Sequence, residues 1–248
     1  MADTKDTRDF FDRYARFIST SGVGTRLPGG GRSPRLPARY KAIVEQNRAL
    51  FAGAKVLDIA SHDGRWSMAA LDAGAKEVVG VEGRRHLVAS AYRTFSHYGV
   101  KPAQYQFIVG DIFDALPKFE PGEFDLVLCL GFFYHTTRHH ELFAQLGRLR
   151  LRSVILDTEI VQGSGPIVRF KIERTTGDQS ALADMTGFPT TISGSPNHEM
   201  IVMLARHFDF VLRTVDWNGL GIKDWTGLDD YKADRRRTYV LERSVSCG

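Results

Sequence analysis

Cysteine is scarce, with two in 248 residues. Cys129 lies in an apolar run and Cys247 stands next to the last residue. That argues against a disulfide framework and makes a reducing cytoplasm the expected setting. A structural zinc centre is not expected either, because no clustered set of cysteines and histidines exists. No run of about 18 apolar residues occurs, so no transmembrane helix is expected. The first ten residues are charged and lack an apolar h-region, so no secretory signal is expected. Internal repeats are missing, and low complexity is confined to Gly29-Gly30-Gly31. What is present is an ordinary globular composition, 43% hydrophobic and 25% charged. It suffices for one core with elaborations, and the chain reads as a single domain.

The net charge is +4 and the isoelectric point about 9.1. Arginines cluster at 26–39, 148–152 and 235–237. Solvated faces and loops explain such clusters as readily as a polyanionic partner does, so a nucleic acid is not favoured. A homodimer is expected only because symmetric dimers are common.

Along the chain, residues 7–19 read as an amphipathic helix, with Phe10, Tyr14 and Phe17 on one face. Residues 21–37 read as a Gly/Pro/Arg loop and 38–50 as a second helix. Residues 1–50 thus form a helical arm, either a lid or a packing appendage. Strands and helices then alternate: strands at 56–60, 77–82, 105–109, 124–130 and 153–157, helices at 65–73, 86–98 and 138–149. This rhythm predicts an α/β fold, a doubly wound, mostly parallel, Rossmann-like sheet. Several strands are nearly continuous apolar runs, as strands covered on both faces must be. Past 158 the texture changes to a strand at 167–173 and a loop-rich insertion at 177–195. Ser195-Pro196 reads as the start of a helix over 198–208. Two closing strands, 210–217 and 238–241, suggest an antiparallel finish.

The segment Val56-Leu57-Asp58-Ile59-Ala60-Ser61-His62-Asp63-Gly64-Arg65-Trp66 reads as strand, turn and helix. Ala60 and His62 stand where glycines let a backbone approach a pyrophosphate, and only Gly64 remains. A ligand without phosphates is less demanding, so the loop points to S-adenosylmethionine rather than a dinucleotide. Gly64 would lie against its amino-acid part, and Asp58 would hold its ammonium directly or through water. Glu82, followed by Gly83, ends the second strand and suits two ribose hydroxyls. Gly110, Asp111 and Ile112 follow the third strand, where Asp111 suits the adenine amino group and Ile112 the ring face. Leu130 ends the fourth strand. Any one of these acids could be a helix cap or a loop residue. Three at successive strand ends make a site.

With those residues in view, 55–157 resembles a class I S-adenosylmethionine-dependent methyltransferase. A narrower likeness rests on Leu130-Gly131-Phe132-Phe133-Tyr134-His135, on Ser195-Pro196 before a helix, and on Arg236-Arg237-Thr238. These resemble the carboxymethyltransferase of the tRNA wobble uridine. That resemblance implies that Tyr134 and either Arg236 or Arg237 help bind a carboxylated cofactor. The glycine turn and Glu82 depart from that family's pattern.

Methyl transfer is an in-line displacement, and a hydroxyl acceptor must also lose its proton. His135, immediately after the fourth strand, is the first candidate for general base, with Tyr134 and His139 beside it. It could instead pack against the following helix. Asp157 and Glu159 flank the fifth strand's end and, with a histidine, could hold a divalent metal such as Mg, or be plain loop acids. The insertion over 161–195 and the arm are expected to select the acceptor, with Arg169, His198, Arg236 and Arg237 as substrate-binding candidates. Trp217, Trp225 and Tyr231 could stack on it or belong to the core. This polar surface suits a small molecule such as a sugar or oligosaccharide. The leading expectation is therefore O-methylation. A tRNA-modifying enzyme and a non-catalytic cofactor-binding protein stand as alternatives.

Overall fold

The computed structural model describes residues 9–19, 33–183 and 187–244. The ends of the chain, most of the Gly/Pro/Arg loop and Cys247 lie outside the described residues. In chain order the elements are α1 (Phe10–Arg13), α2 (Arg16–Ser19), α3 (Arg35–Ile43), β1 (Lys55–Ile59), α4 (Arg65–Asp72), β2 (Glu77–Glu82), α5 (Arg85–His97), β3 (Tyr105–Val109), α6 (Ile112–Ala115) and β4 (Leu126–Leu130). There follow α7 (His139–Arg148), β5 (Ser153–Glu159), β6 (Val168–Arg174), β7 (Thr190–Pro196), α8 (His198–His207), β8 (Phe210–Thr214), α9 (Asp229–Lys232) and β9 (Arg236–Arg243).

The central sheet has seven strands in the order β3-β2-β1-β4-β5-β9-β8. The first five run parallel, and β9 lies antiparallel to both β5 and β8. Successive residues of a strand face opposite sides. Thus Val56, Val78, Leu126 and Ile155 join one core with α4, α5 and the arm. Leu57, Val79, Val127 and Val154 join a second core with α6, α7 and α8. Burial on both faces is why these strands are apolar throughout. The strand order reverses between β1 and β4, and the crevice at their carboxyl ends is where such sheets collect ligands.

Three local expectations are corrected. The first helix is broken at Tyr14–Ala15 into α1 and α2, and Asp9 caps α1 by accepting the Phe11 N–H at 2.7 Å. The break lets Phe10 stack on Tyr40 at 4.7 Å and Phe11 meet Trp66 edge-on at 6.1 Å. The loop-rich stretch contains β7, paired antiparallel with β6 from Val168↔Pro196 to Arg174↔Thr190. Its hydroxyl-rich sequence hides the apolar alternation that marks a strand, although threonine favours one. Pro196 therefore ends a strand. The cap of α8 is Asn197, whose Oδ1 accepts the Met200 N–H at 2.9 Å.

Candidate active site

The turn after β1 is glycine-like without the glycines. Ala60 and His62 both adopt φ of 54°. A non-glycine residue pays roughly 1 kcal/mol for that region, so the surroundings must enforce it. The Ser61 N–H donates to the Val81 carbonyl at 3.0 Å, and Gly64 N–H returns to the Ser61 carbonyl at 2.9 Å. Arg65 grips the buried Asp63 with Nε and Nη2, both at 2.8 Å. Burial alone would raise the Asp63 pKa. The Arg65 guanidinium overrides it and holds the carboxyl well below the usual range.

Glu82 is buried with its carboxylate clamped on the crevice wall. Oε2 accepts the His62 N–H at 3.1 Å and Oε1 the Arg84 N–H at 2.8 Å. One strand over, Gly110 N–H reaches the Glu82 carbonyl at 3.1 Å. Asp111 caps α6 through Oδ1, which accepts the Phe113 N–H at 2.7 Å.

A single-turn helix, Phe133–His135, carries the residues after β4. His135 Nδ1 lies 2.7 Å from Glu173 Oε1 of β6, and both side chains are mostly buried. Burial lowers the His135 pKa, with Glu173 opposing, which favours the neutral ring. Tyr134 Oη stands 3.5 Å from Arg236 Nη1. Arg236 in turn holds Asp157 through Nε at 2.7 Å and Nη2 at 2.6 Å. Asp157 also receives Arg39 Nη2 at 3.0 Å, Tyr231 Oη at 2.8 Å and Thr238 Oγ1 at 2.7 Å.

A strap of residues 178–183 borders the same space. Arg84 Nη2 donates to the Ser180 carbonyl at 2.8 Å and to that of Ala181 at 3.2 Å. Ala181 N–H donates to Glu173 Oε1 at 3.0 Å. A Cβ on Gly83 would run into Leu182 Cδ1, so glycine is what lets the strap lie this close.

These walls enclose one cavity of about 760 Å³. Ala60, His62, Glu82, Gly83, Gly110, Asp111, Ile112 and Leu130 line one part of it. Tyr134, His135, Glu159 and Arg236 line another, with Arg35 and Arg39 of α3.

Residues 56–150 match a family model described as a methyltransferase domain. That stretch, from β1 to the turn after α7, is thus similar to a methyltransferase domain. Among solved structures, it is similar to the N-terminal domain of EvdMO1 determined in the presence of SAH and D-fucose. The TM-score is 0.63 at 17% identity, covering 94% of this chain and 95% of that one. The [4+2]-cyclase SpnF gives a TM-score of 0.59 at 13% identity, over 96% and 94%. The PH0226 protein of Pyrococcus horikoshii OT3 gives 0.57 at 16% identity, over 92% and 99%. At such identities the likeness is one of fold. No curated protein matches the sequence. The narrower resemblance to the wobble-uridine carboxymethyltransferase is not confirmed by these matches.

Several residues expected at the site of the methyltransferase domain stand away from the cavity. Asp58 is 1% exposed beneath the turn, where its Oδ2 accepts from Ser67 Oγ at 2.7 Å. Burial pushes its pKa up to about 7. Gly64 faces inward, and a Cβ there would lie 2.9 Å from Phe107 Cζ and 3.0 Å from Phe95 Cε2. Its task is to let α5 and β3 pack close. His139 is buried, with Nε2 between the carbonyls of Phe133 at 3.0 Å and Gly194 at 2.9 Å, a fastening rather than a reacting group. His198 turns to Tyr239 Oη at 3.2 Å, Arg237 pairs with Asp234, and Arg169 is exposed on β6. Trp217 and Tyr231 are buried and stacked on each other at 3.6 Å, so neither is free to stack on a ligand.

The divalent-metal expectation does not fit. Both oxygens of Asp157 are already taken by two guanidiniums and two hydroxyls, which leaves no lone pair facing a cation. Glu159 stands 3.9 Å from the Lys171 ammonium, and no metal-binding group of acids, histidines and cysteines occurs among the described residues. No helix among the described residues is long and apolar enough to cross a membrane.

Glu173, Arg39 and Arg84 were not foreseen. Glu173 sits in an alternating strand with no spacing signal, and its pairing with His135 exists only in three dimensions.

Glu82 yields a direct test. Glu82→Ala removes the wall carboxylate and leaves two backbone N–H groups without their acceptor. S-adenosylhomocysteine affinity is expected to fall by about 2–4 kcal/mol in calorimetry, charge-assisted bonds being the stronger kind. Unchanged affinity would mean that the ribose is held elsewhere.

Proposed function

We propose that this domain transfers a methyl group from S-adenosylmethionine to a hydroxyl of a small polar acceptor, a sugar or oligosaccharide. The observation that carries the reading is His135, an imidazole on the wall of the cavity that Glu82 and Asp111 also line, its neutral form favoured by burial. Glu82, Gly83, Gly110, Asp111 and Ile112 would hold the nucleoside. The acceptor oxygen attacks the sulfonium methyl, the carbon–sulfur bond breaks with its electron pair passing to sulfur, and His135 takes the hydroxyl proton. Arg39, Glu159 and Arg236 would offer polar contacts to the acceptor, and residues 158–248 with the arm would select it. The EvdMO1 structure, determined with SAH and D-fucose, supports a sugar. The cyclase SpnF is a reminder that the fold alone does not dictate the reaction.

The test is a panel of sugars and glycosides incubated with S-adenosylmethionine, followed by mass spectrometry for methylated product. Methylation of another acceptor class with none of the panel modified would overturn the sugar reading. One contact favours a second reading, transfer from a carboxylated cofactor to tRNA: Tyr134 and Arg236 meet at 3.5 Å. That reading predicts tight, salt-sensitive tRNA binding and a calorimetric preference for the carboxylated cofactor. Absence of tRNA binding at low salt would remove it.

A further inference from the structure

The two histidines that follow β4, His139 buried and His135 mostly so, are held in opposite ways. His139 presents Nε2 to two carbonyls, Phe133 at 3.0 Å and Gly194 at 2.9 Å. A carbonyl accepts and never donates, so Nε2 of His139 must carry the proton. His135 presents the other nitrogen, Nδ1, to Glu173 Oε1 at 2.7 Å. The contact is close but lacks hydrogen-bond alignment; a carboxylate accepts and never donates, so its approach favours a proton on Nδ1 and leaves the lone pair on Nε2. The same Glu173 oxygen accepts the Ala181 N–H of the strap at 3.0 Å. One carboxylate oxygen thus touches the imidazole and holds the strap bordering the cavity.

We propose that Glu173 is a positioning residue that locks His135 in the Nδ1–H tautomer and steadies the imidazolium formed on proton uptake. The proposal rests on His135 being the base, but its test does not require the acceptor. Glu173 acts through His135 and touches no reacting atom. Its negative charge favours the protonated ring once the acceptor's proton has moved to Nε2, the division of labour a buried acid performs for a catalytic histidine. Three other groups act on the ring. Lys171 of β6 disfavours its charged form, Glu159 of β5 favours it, and the Tyr134 ring lies 4.1 Å away. Among these groups, Glu173 is the one placed against a ring nitrogen, at 2.7 Å from Nδ1.

The experiment is nitrogen-15 NMR of the histidine side chains in the intact protein, with His135 and His139 assigned by single substitutions. In the wild-type protein above the titration midpoint, His135 is expected as the Nδ1–H tautomer and His139 as Nε2–H. In Glu173→Gln the amide oxygen still accepts both N–H groups, while the charge is gone. The His135 midpoint is then expected to fall by about one to two pH units, with His139 unmoved. An Nε2–H tautomer for His135 in the wild type, or an unmoved midpoint in Glu173→Gln, overturns the proposal. The wild-type tautomer decides the matter alone if the variant does not fold. Failure of the base reading is seen separately, as methyl transfer that survives replacement of His135.

Discussion

His135→Ala should lower kcat by about 10²–10⁴-fold on a hydroxyl acceptor while leaving the affinity for S-adenosylhomocysteine near that of the wild type. The range is that of a removed general base. Cofactor affinity should persist because the clamped carboxylate of Glu82 and the turn at Ala60 and His62 lie on other elements of the cavity wall. The loss should fall on kcat and kcat/KM alike, the pattern for an interaction made in the transition state. An amine acceptor already carries a free lone pair at high pH, so the same substitution would then cost little. A small effect on a proven hydroxyl acceptor would exclude His135 as the base. The wild-type profile should rise with pH through a midpoint below the ordinary histidine value, since burial depresses it.

Asp157→Ala should cost about 3–5 kcal/mol of folding stability, read from chemical denaturation midpoints. Asp157 is fully buried, and Arg236 is 4% exposed. Removing the carboxylate strands that guanidinium in a poorly solvated place and leaves the hydroxyls of Tyr231 and Thr238 without an acceptor. The two arginines hold the Asp157 pKa well below the usual range, against the pull of burial. A depressed folded-state pKa contributes stability above the unfolded value near 4, and that contribution is lost as pH falls further. The acid limb of the stability curve below about pH 4 should therefore flatten in Asp157→Asn. Asp58 has the opposite sign. Its pKa is pushed up to about 7, so its contribution declines as pH rises from about 4 to about 7. Asp58→Asn should thus gain on the wild type across that window, and a parallel curve would contradict the raised value.

The two acids also show why part of the site was legible in the sequence and part was not. β2 and β3 read to the residue because apolar runs between turn residues leave little freedom, and an acid at the end of β2 and another just past β3 mark the crevice edge. Asp58 follows the same rule on paper, yet Ser67 across the turn claims it, and nothing in one dimension announces that claim. β7 was hidden by its hydroxyls. Glu173 was hidden because the strand that carries it meets His135 only through tertiary packing. Periodicity reports which face is buried; it does not report which polar group a buried residue will find.

The cluster at Asp157 ties distant parts of the chain to one group. Its partners are Arg39 of α3, Tyr231 of α9, and Arg236 and Thr238 of β9. A single buried carboxylate thus fastens the helical arm, the fifth strand and the antiparallel strand beside it, and two of its partners, Arg39 and Arg236, line the cavity. The shape of the cavity and the cohesion of the fold therefore hang on the same acid, and what loosens one loosens the other.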